Sequence, residues 1–310
     1  CLLGIDIGWR TTGAVLMNLG GEVLHSVESE TPEFASSNDH AEWALRISEE
    51  LIEKSEKKLP PLCGIGIGIP GLIAKENGNT LSSQEAARAI KNALAEEFQV
   101  PVILQNDARM MSLGARWFGE GENYSTFAVL NIGYGLGLGM VQNGRIMEGA
   151  HGFACEVGHI PLGEPRIPCY CGSTGCLENT ASGSGIVRLA KKRGLEVEEV
   201  IEVASLARKG NRIAREVFEE FSIGLARTIA TVINLFDPEA VILSGRDCQA
   251  QDLFLEQTET RLKGYSLPAI LKSSNLIVSE KGVDLGPLGA AAAVLHHIFY
   301  SAHVQVEEVI

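Results

Sequence analysis

The sequence predicts an α/β protein of two lobes, and three observations carry that expectation. The chain has 310 residues, 45% of them hydrophobic and 34 of them glycine, which is enough to bury two cores and too apolar for a disordered segment. Short apolar or alternating runs are followed by stretches of helical spacing along most of the chain, the signature of a parallel or mixed sheet covered by helices. A β-hairpin opening near residue 1 recurs near residue 127, which suggests an internal duplication although no residue-level repeat accompanies it.

Taken in order, the apolar run 2–7, the turn Asn18-Leu19-Gly20-Gly21 and the alternating stretch 22–27 predict a hairpin feeding a sheet. Residues 40–57 have helical spacing through Trp43, Leu45, Ile47, Leu51 and Ile52, and 62–69 alternates Gly with Ile or Cys as a buried strand closed by Pro70-Gly71. A helix is predicted over 84–98, a strand over 100–104, and a further helix over 108–118 capped by Asn106 or Asp107. The second lobe opens with strands 127–131 and 137–142 and an Asn143-Gly144 turn. Helices follow over 186–192, 197–208 and 211–236, the last with Ile213, Val217, Phe221, Leu225, Ile229, Val232 and Ile233 on one stripe. Strands at 240–243 and 276–278 and an Ala-rich helix from Pro287 close the chain. The expected lobes are 1–118 and 119–310, with the last helix, 286–299, free to pack back on the first lobe.

Charge and composition exclude some functions. With 26 basic against 39 acidic residues the net charge is −13, so this surface repels a phosphate backbone. No run reaches the roughly 18 apolar residues of a membrane span, and no secretory leader is visible, so a cytoplasmic location is expected.

The most specific motif is HIPLGEPRIPCYCGSTGC, which places His159, Cys169, Cys171 and Cys176 within one short loop. Three thiolates and an imidazole are the donor set of a closed tetrahedral zinc site, with Gly172 and Gly175 letting the chain bend back between ligands. The other cysteines, Cys1, Cys63, Cys155 and Cys248, are scattered, so in a reducing compartment metal explains the clustered three better than disulfides do. Glu156 and Glu178 bracket the loop as acceptors the metal does not need, a pairing suited to a polyhydroxylated ligand.

Across this segment the chain resembles the ROK family of repressors, open reading frames and sugar kinases. The likeness rests on Glu156-Val157-Gly158-His159, on the Cys169 to Glu178 stretch, and on IGIPG at 67–71, Asn106-Asp107 and DPEAV at 237–241 in the same order. It implies an actin-like ATPase fold (ribonuclease H-like, hexokinase-like) with a structural zinc loop, and a sugar between two lobes. Sugar contacts carry over to Gly71, Asn106, Asp107, Glu156, His159 and Glu178, with Asp107 as the base that deprotonates the attacking hydroxyl in the kinases. Asp107 is equally explained as part of a helix N-terminus.

The nucleotide side departs from the family pattern. A DxGGTK opening is usual in its kinases, whereas Asp6-Ile7-Gly8 is followed here by Trp9-Arg10-Thr11, and an indole replaces a glycine. The second turn, 133–139, lacks the usual threonine, and the adenosine-side turn reads Ser244-Gly245-Arg246. The expectation is therefore the sugar-sensing domain of a repressor of carbohydrate metabolism, a homodimer or homotetramer that reaches DNA through a helix-turn-helix preceding Cys1. The rival is a hexose or N-acetylhexosamine kinase using ATP and Mg²⁺, with Gly8, Thr11, Gly133, Gly135 and Gly245 around the nucleotide and Asp6 towards the metal.

Overall fold

The computed structural model describes residues 1–34, 36–55, 59–71 and 84–300. It divides into two compact units. Unit 1 comprises Cys1–Gly119, Glu148–Phe153 and the chain from Asp284 onward; unit 2 comprises Glu120–Met147 and Ala154–Val283. Residues 148–153 and 284–300 thus belong with the first unit.

In unit 1 the strands β1 (Leu2–Ile7), β2 (Thr11–Met17), β3 (Val23–Glu30), β4 (Gly64–Ile69) and β5 (Val102–Asn106) form one sheet in the order β3-β2-β1-β4-β5. β1, β4 and β5 run parallel while β2 and β3 are antiparallel. The opening is therefore a three-stranded meander and not a single hairpin: Gly8 N–H donates to Thr11 O at 2.9 Å, closing a turn so tight that residues 11–17 form a strand of their own. In-register pairing sets Asp6 beside Gly68, and Ile69 beside Asn106, at the carboxyl ends of the parallel strands, where open α/β sheets present ligand groups.

Alternation explains how that sheet is covered. Leu3, Ile5, Ile65 and Ile67 face a core with Trp43, Ile47 and Leu51 of α1 (Ser37–Glu53) and Ile90 and Leu94 of α2 (Gln84–Phe98). On the opposite face Leu2, Val15 and Met17 pack on Leu288, Ala291, Val294 and Leu295 of the last helix, Leu285–Tyr300. Here the alternate glycines of GIGIGI in β4 have their reason: a Cβ on Gly66 would lie 1.7 Å from Ala290 O. The helix backbone rests directly on the strand. α1 starts at Ser37 because Ser36 and Asp39 form a capping box, and Lys57, the expected end of that helix, lies outside the described residues.

Unit 2 repeats this plan. β6 (Phe127–Ile132), β7 (Leu136–Gln142), β8 (Arg145–Ile146), β9 (Ala240–Ser244) and β10 (Asn275–Val278) form a sheet in the order β10-β9-β6-β7-β8. Each pairing has the same sense as its counterpart in unit 1, with β6 parallel to β9 and β9 to β10, and β6–β7 and β7–β8 antiparallel. The duplication suggested by two hairpin openings is thus present as topology. The longest helix, Arg212–Phe236, is capped by Asn211 Oδ1 accepting from Ala214 N and stops at Asp237 in the left-handed region (φ 46°); its buried stripe includes Val217, Phe221, Leu225, Ile229, Val232 and Ile233.

Two helix starts differ from expectation. The one expected at 186 begins at Gly183, because Ser182 caps it through Gly185 N, and the one expected at 197 begins at Val200 after a Glu199–Glu202 capping box. Helices Leu255–Tyr265 and Pro268–Ser273 were not expected, since the first buries only Thr258 and Leu262 and the second nothing. Among the described residues no helix is long and apolar enough to cross a membrane.

Candidate metal and ligand site

The four ligands of the expected metal site are brought together in unit 2: one donor atom each from His159, Cys169, Cys171 and Cys176 lies within 4.8 Å of every other. The loop is shaped by its own backbone. Cys169 N–H donates to Ser173 O, Gly172 N–H to Cys169 O and Gly175 N–H to Ile167 O, with Gly172 and Gly175 at φ 90° and 72°. The Cys171 and Cys176 sulfurs are 3.7 Å apart and Cys169 Sγ is 3.6 Å from His159 Nδ1. Bonds of zinc–thiolate and zinc–imidazole length in a tetrahedron give edges of about 3.8 and about 3.5 Å. These two separations match edges of such a tetrahedron, and the sulfur–sulfur one is too long for a disulfide. Burial pushes the Cys176 thiol up to about 12, while backbone hydrogen bonding at Ser173 lowers Cys171.

Beside this cluster stand the two glutamates. Glu156 is exposed and precedes the 3₁₀ turn Val157–His159, whose His159 N–H donates to Glu156 O at 3.1 Å. Glu178 opens the short helix Glu178–Ala181, and its Oε2 accepts from Leu136 N at 3.1 Å. A residue the sequence reading did not single out joins them. Tyr170, between two metal-ligand cysteines, places its hydroxyl 3.3 Å from His159 Nε2 with the two rings edge to face at 5.3 Å. Burial of the hydroxyl end, then the charges of the nearby Glu178, the Cys169 sulfur and Glu156, raise the phenol above its ordinary pKa. The signal for it was an aromatic inside CxC.

The acidic pair of unit 1 lies at the ends of the parallel strands. Asn106 is the N-cap of helix Asp107–Phe118: its Oδ1 accepts from Arg109 N, and its Nδ2 donates to Gly71 O (3.2 Å) and Asp107 Oδ1 (3.0 Å). One side chain thus ties the Pro70-Gly71 bend, where Gly71 has φ 104°, to the first residue of the helix. Asp107 Oδ1 also accepts from Ala108 N, so the helix-terminus reading of this carboxylate holds whatever else it does. Arg109, only 3% exposed, donates to Gln105 Oε1 and Gly152 O and pins segment 148–153 to unit 1; a charged residue on an apolar stripe offered no signal of this. Residues 72–83, which follow this bend, lie outside the described residues.

Asp6 is half-buried, and its Oδ1, shut off from solvent, has no hydrogen-bond partner. Gly68 and Gly286 crowd it, since a Cβ on either would fall 2.7 Å from Oδ1 or 2.2 Å from Oδ2. An orphaned carboxylate near a second one suits a divalent cation or a retained proton. Burial, and secondarily the charge of Asp107, raise its pKa well above the ordinary 3.8. With the folded value above the unfolded one, the contribution of Asp6 to stability is complete below the ordinary value and is lost as pH rises towards the folded value. Asp6→Asn carries no such slope. In metal-free buffer its melting temperature is expected to gain on that of the wild type as pH rises from about 4; a gap independent of pH would contradict the buried, unpaired state.

The expected nucleotide residues have structural occupations of their own. Gly8 N–H and Thr11 O close the first turn on each other, leaving Trp9 61% exposed at its tip. Gly133 O and Tyr134 O accept from Gly183 N and Ser184 N, so the opening amides of one helix are committed to the second turn. A Cβ at Gly135 would meet Glu178 Oε2 at 2.8 Å, and at Gly245 (φ 101°) Ile132 O at 2.4 Å.

Two matched sheets of one topology, a Cys₃His loop and carboxylates at strand ends define the hexokinase-like fold with a candidate metal centre. The profile of the ROK family matches residues 2–297, and the chain belongs to that family. The xylose repressor of Caldicellulosiruptor bescii is 33% identical over 95% of this chain and 78% of its own length. The glucokinase of Thermotoga maritima is 30% identical over 96% of this chain and 98% of its own. Among solved structures, a ROK family transcriptional regulator homologous to the E. coli MLC protein has a TM-score of 0.80 at 27% identity, covering 95% of this chain and 78% of that one. A ROK family glucokinase from Streptomyces griseus, at 24% identity, shares the fold with a TM-score of 0.83, covering 94% and 98%. Its relatives thus include both repressors and kinases.

Proposed function

We propose that this chain is a sugar-binding domain that senses a carbohydrate for a transcriptional repressor, in a reducing, cytoplasmic compartment. The observation that carries the reading is the first turn: its Gly8 amide is spent on Thr11 O and an exposed indole stands where the family's kinases have glycine. In this reading zinc occupies the Cys₃His cluster. Gly71, Asn106 and Asp107 in unit 1, and Glu156, His159 and Glu178 in unit 2, are the sugar-binding residues. Carboxylates accept from ring hydroxyls and the imidazole donates, the pairing that rejects ligands lacking those hydroxyls. The repressor acts as a homodimer or homotetramer, and DNA is contacted by a helix-turn-helix segment outside these 310 residues, which suits a surface of net charge −13.

A second reading is favoured by Asp6 and Asp107. An ATP-dependent hexose or N-acetylhexosamine kinase needs a base near the sugar and a carboxylate for Mg²⁺, and both groups are present, with one Asp6 oxygen orphaned. Asp6 would then hold the cation, which neutralises charge on the phosphates, with Gly8, Thr11, Gly133, Gly135 and Gly245 around the nucleotide.

Calorimetry with glucose, xylose and N-acetylglucosamine, with and without ATP and Mg²⁺, separates the two. The expected result is saturable binding of one sugar without nucleotide, and no sugar phosphate above background. Turnover that falls 100-fold or more in Asp107→Ala, on the scale of losing a general base, would establish the kinase reading instead.

A further inference from the structure

We propose that the Tyr170 hydroxyl is a built-in stand-in for a sugar hydroxyl, holding the acceptor and the donor that a carbohydrate must take over. The inference rests on the sugar-binding reading above and concerns what the site does before the sugar arrives.

The contacts define the role. With His159 Nδ1 turned to the thiol of Cys169, Nε2 carries the ring proton and donates to the Tyr170 oxygen. On its other side stands the Glu178 carboxylate, which raises the phenol's pKa as an acceptor for its proton does. One hydroxyl thus accepts from the imidazole and donates to the carboxylate, which is what a single hydroxyl of a pyranose ring does in such a site. Glu178 is held in place independently, because its Oε2 is fixed by the Leu136 amide. His159 is likewise held from its other nitrogen. When Tyr170 leaves, the donor and acceptor remain aimed.

Tyr170 is built to leave. Its backbone is anchored between Cys169 and Cys171, yet its side chain is 77% exposed, so swinging the ring outward sacrifices little packing. In the free protein the hydroxyl stands at these two polar groups where water or a ligand hydroxyl otherwise would; in the complex the ligand replaces it. Apparent affinity is then reduced by the fraction of molecules in which the tyrosine is docked.

The test compares wild type, Tyr170→Phe and Tyr170→Ala by calorimetry with glucose, xylose and N-acetylglucosamine, each protein first checked for equal metal content. Both variants remove the competing hydroxyl, and Phe preserves the ring against His159. The expected result is affinity for the bound sugar about two- to tenfold tighter in both variants, the scale of one hydrogen bond. Binding by the variants where wild type shows none would carry the same meaning. Unchanged or weaker binding in Tyr170→Phe overturns the stand-in role while leaving sugar binding by wild type intact. Failure of all three proteins to bind any of these sugars overturns the sugar reading itself, and this inference with it.

Discussion

Cys176→Ser is expected to release the bound metal and to lower stability by more than about 3 kcal/mol, the upper range for a single substitution. Cys176 is fully buried, and its sulfur lies 3.7 Å from that of Cys171, so an oxygen there cannot serve as a thiolate ligand at the same geometry. Without the cation, thiols with their protons replace a closed Cys₃His cluster, and the turns of 159–178 have only their few backbone bonds to hold them. Sugar affinity should fall with the metal, since His159 is one of its ligands and Glu178 follows Cys176 by two residues. Metal analysis and thermal denaturation check the first two effects, with Cys63→Ser as the control, because Cys63 lies outside the cluster and its thiol donates to Pro61 O. Chelation should reproduce the change in wild type. Lower pH should favour metal loss, since binding displaces protons from thiols and Cys176 holds its proton up to about 12 when no metal is there. Equal melting temperatures for wild type, Cys176→Ser and chelated protein would show the loop to be self-supporting.

The second large effect is expected at two glycines of unit 1. Gly66→Ala puts a methyl 1.7 Å from Ala290 O, and Gly289→Ala puts one 1.6 Å from Met110 O. In both cases the atom met is backbone in a helix, so no rotamer change relieves the clash, and the helix must move off the sheet or off its helical neighbour. Each substitution is expected to cost about 3 kcal/mol or more, at or beyond the usual range for overpacking. Asp6 and Asp107 sit at the end of the same sheet, so ligand binding should be lost along with packing. Gly264→Ala is the matching control: it lies in helix Leu255–Tyr265 with nothing within 4 Å of the added carbon, and there the change should stabilise by about 0.5–1 kcal/mol. Urea denaturation of the three variants decides the matter, and parity between Gly66→Ala and Gly264→Ala would contradict the close approach.

Much of the fold was legible because local patterns and tertiary packing agree. The helix expected at 84–98 is observed as Gln84–Phe98, and that at 108–118 differs by one residue, since Asn106 announces its own cap. The helices Leu255–Tyr265 and Pro268–Ser273 were not legible, because one buries two residues and the other none, and burial is what writes periodicity into a sequence. In the site, three cysteines and a histidine are readable because thiolate and imidazole ligands must come from particular residue types. Arg109 was invisible, as its partners are a carbonyl and an amide brought near by folding.

The sequence by itself determined the ligand loop, the acidic residues around it, the alternation of strand and helix and the family. Each of these is a matter of residue type at short spacing, where chemistry acts within a few bonds or a few turns. Only the tertiary structure decided that the last helix belongs with unit 1, that GIGIGI is a seat for that helix, and that Gly135 makes room for Glu178. It alone placed the Tyr170 hydroxyl between His159 and Glu178. Those outcomes depend on which backbone comes to lie within a few ångströms of which side chain, and distances of that kind are set by packing between segments far apart in the chain.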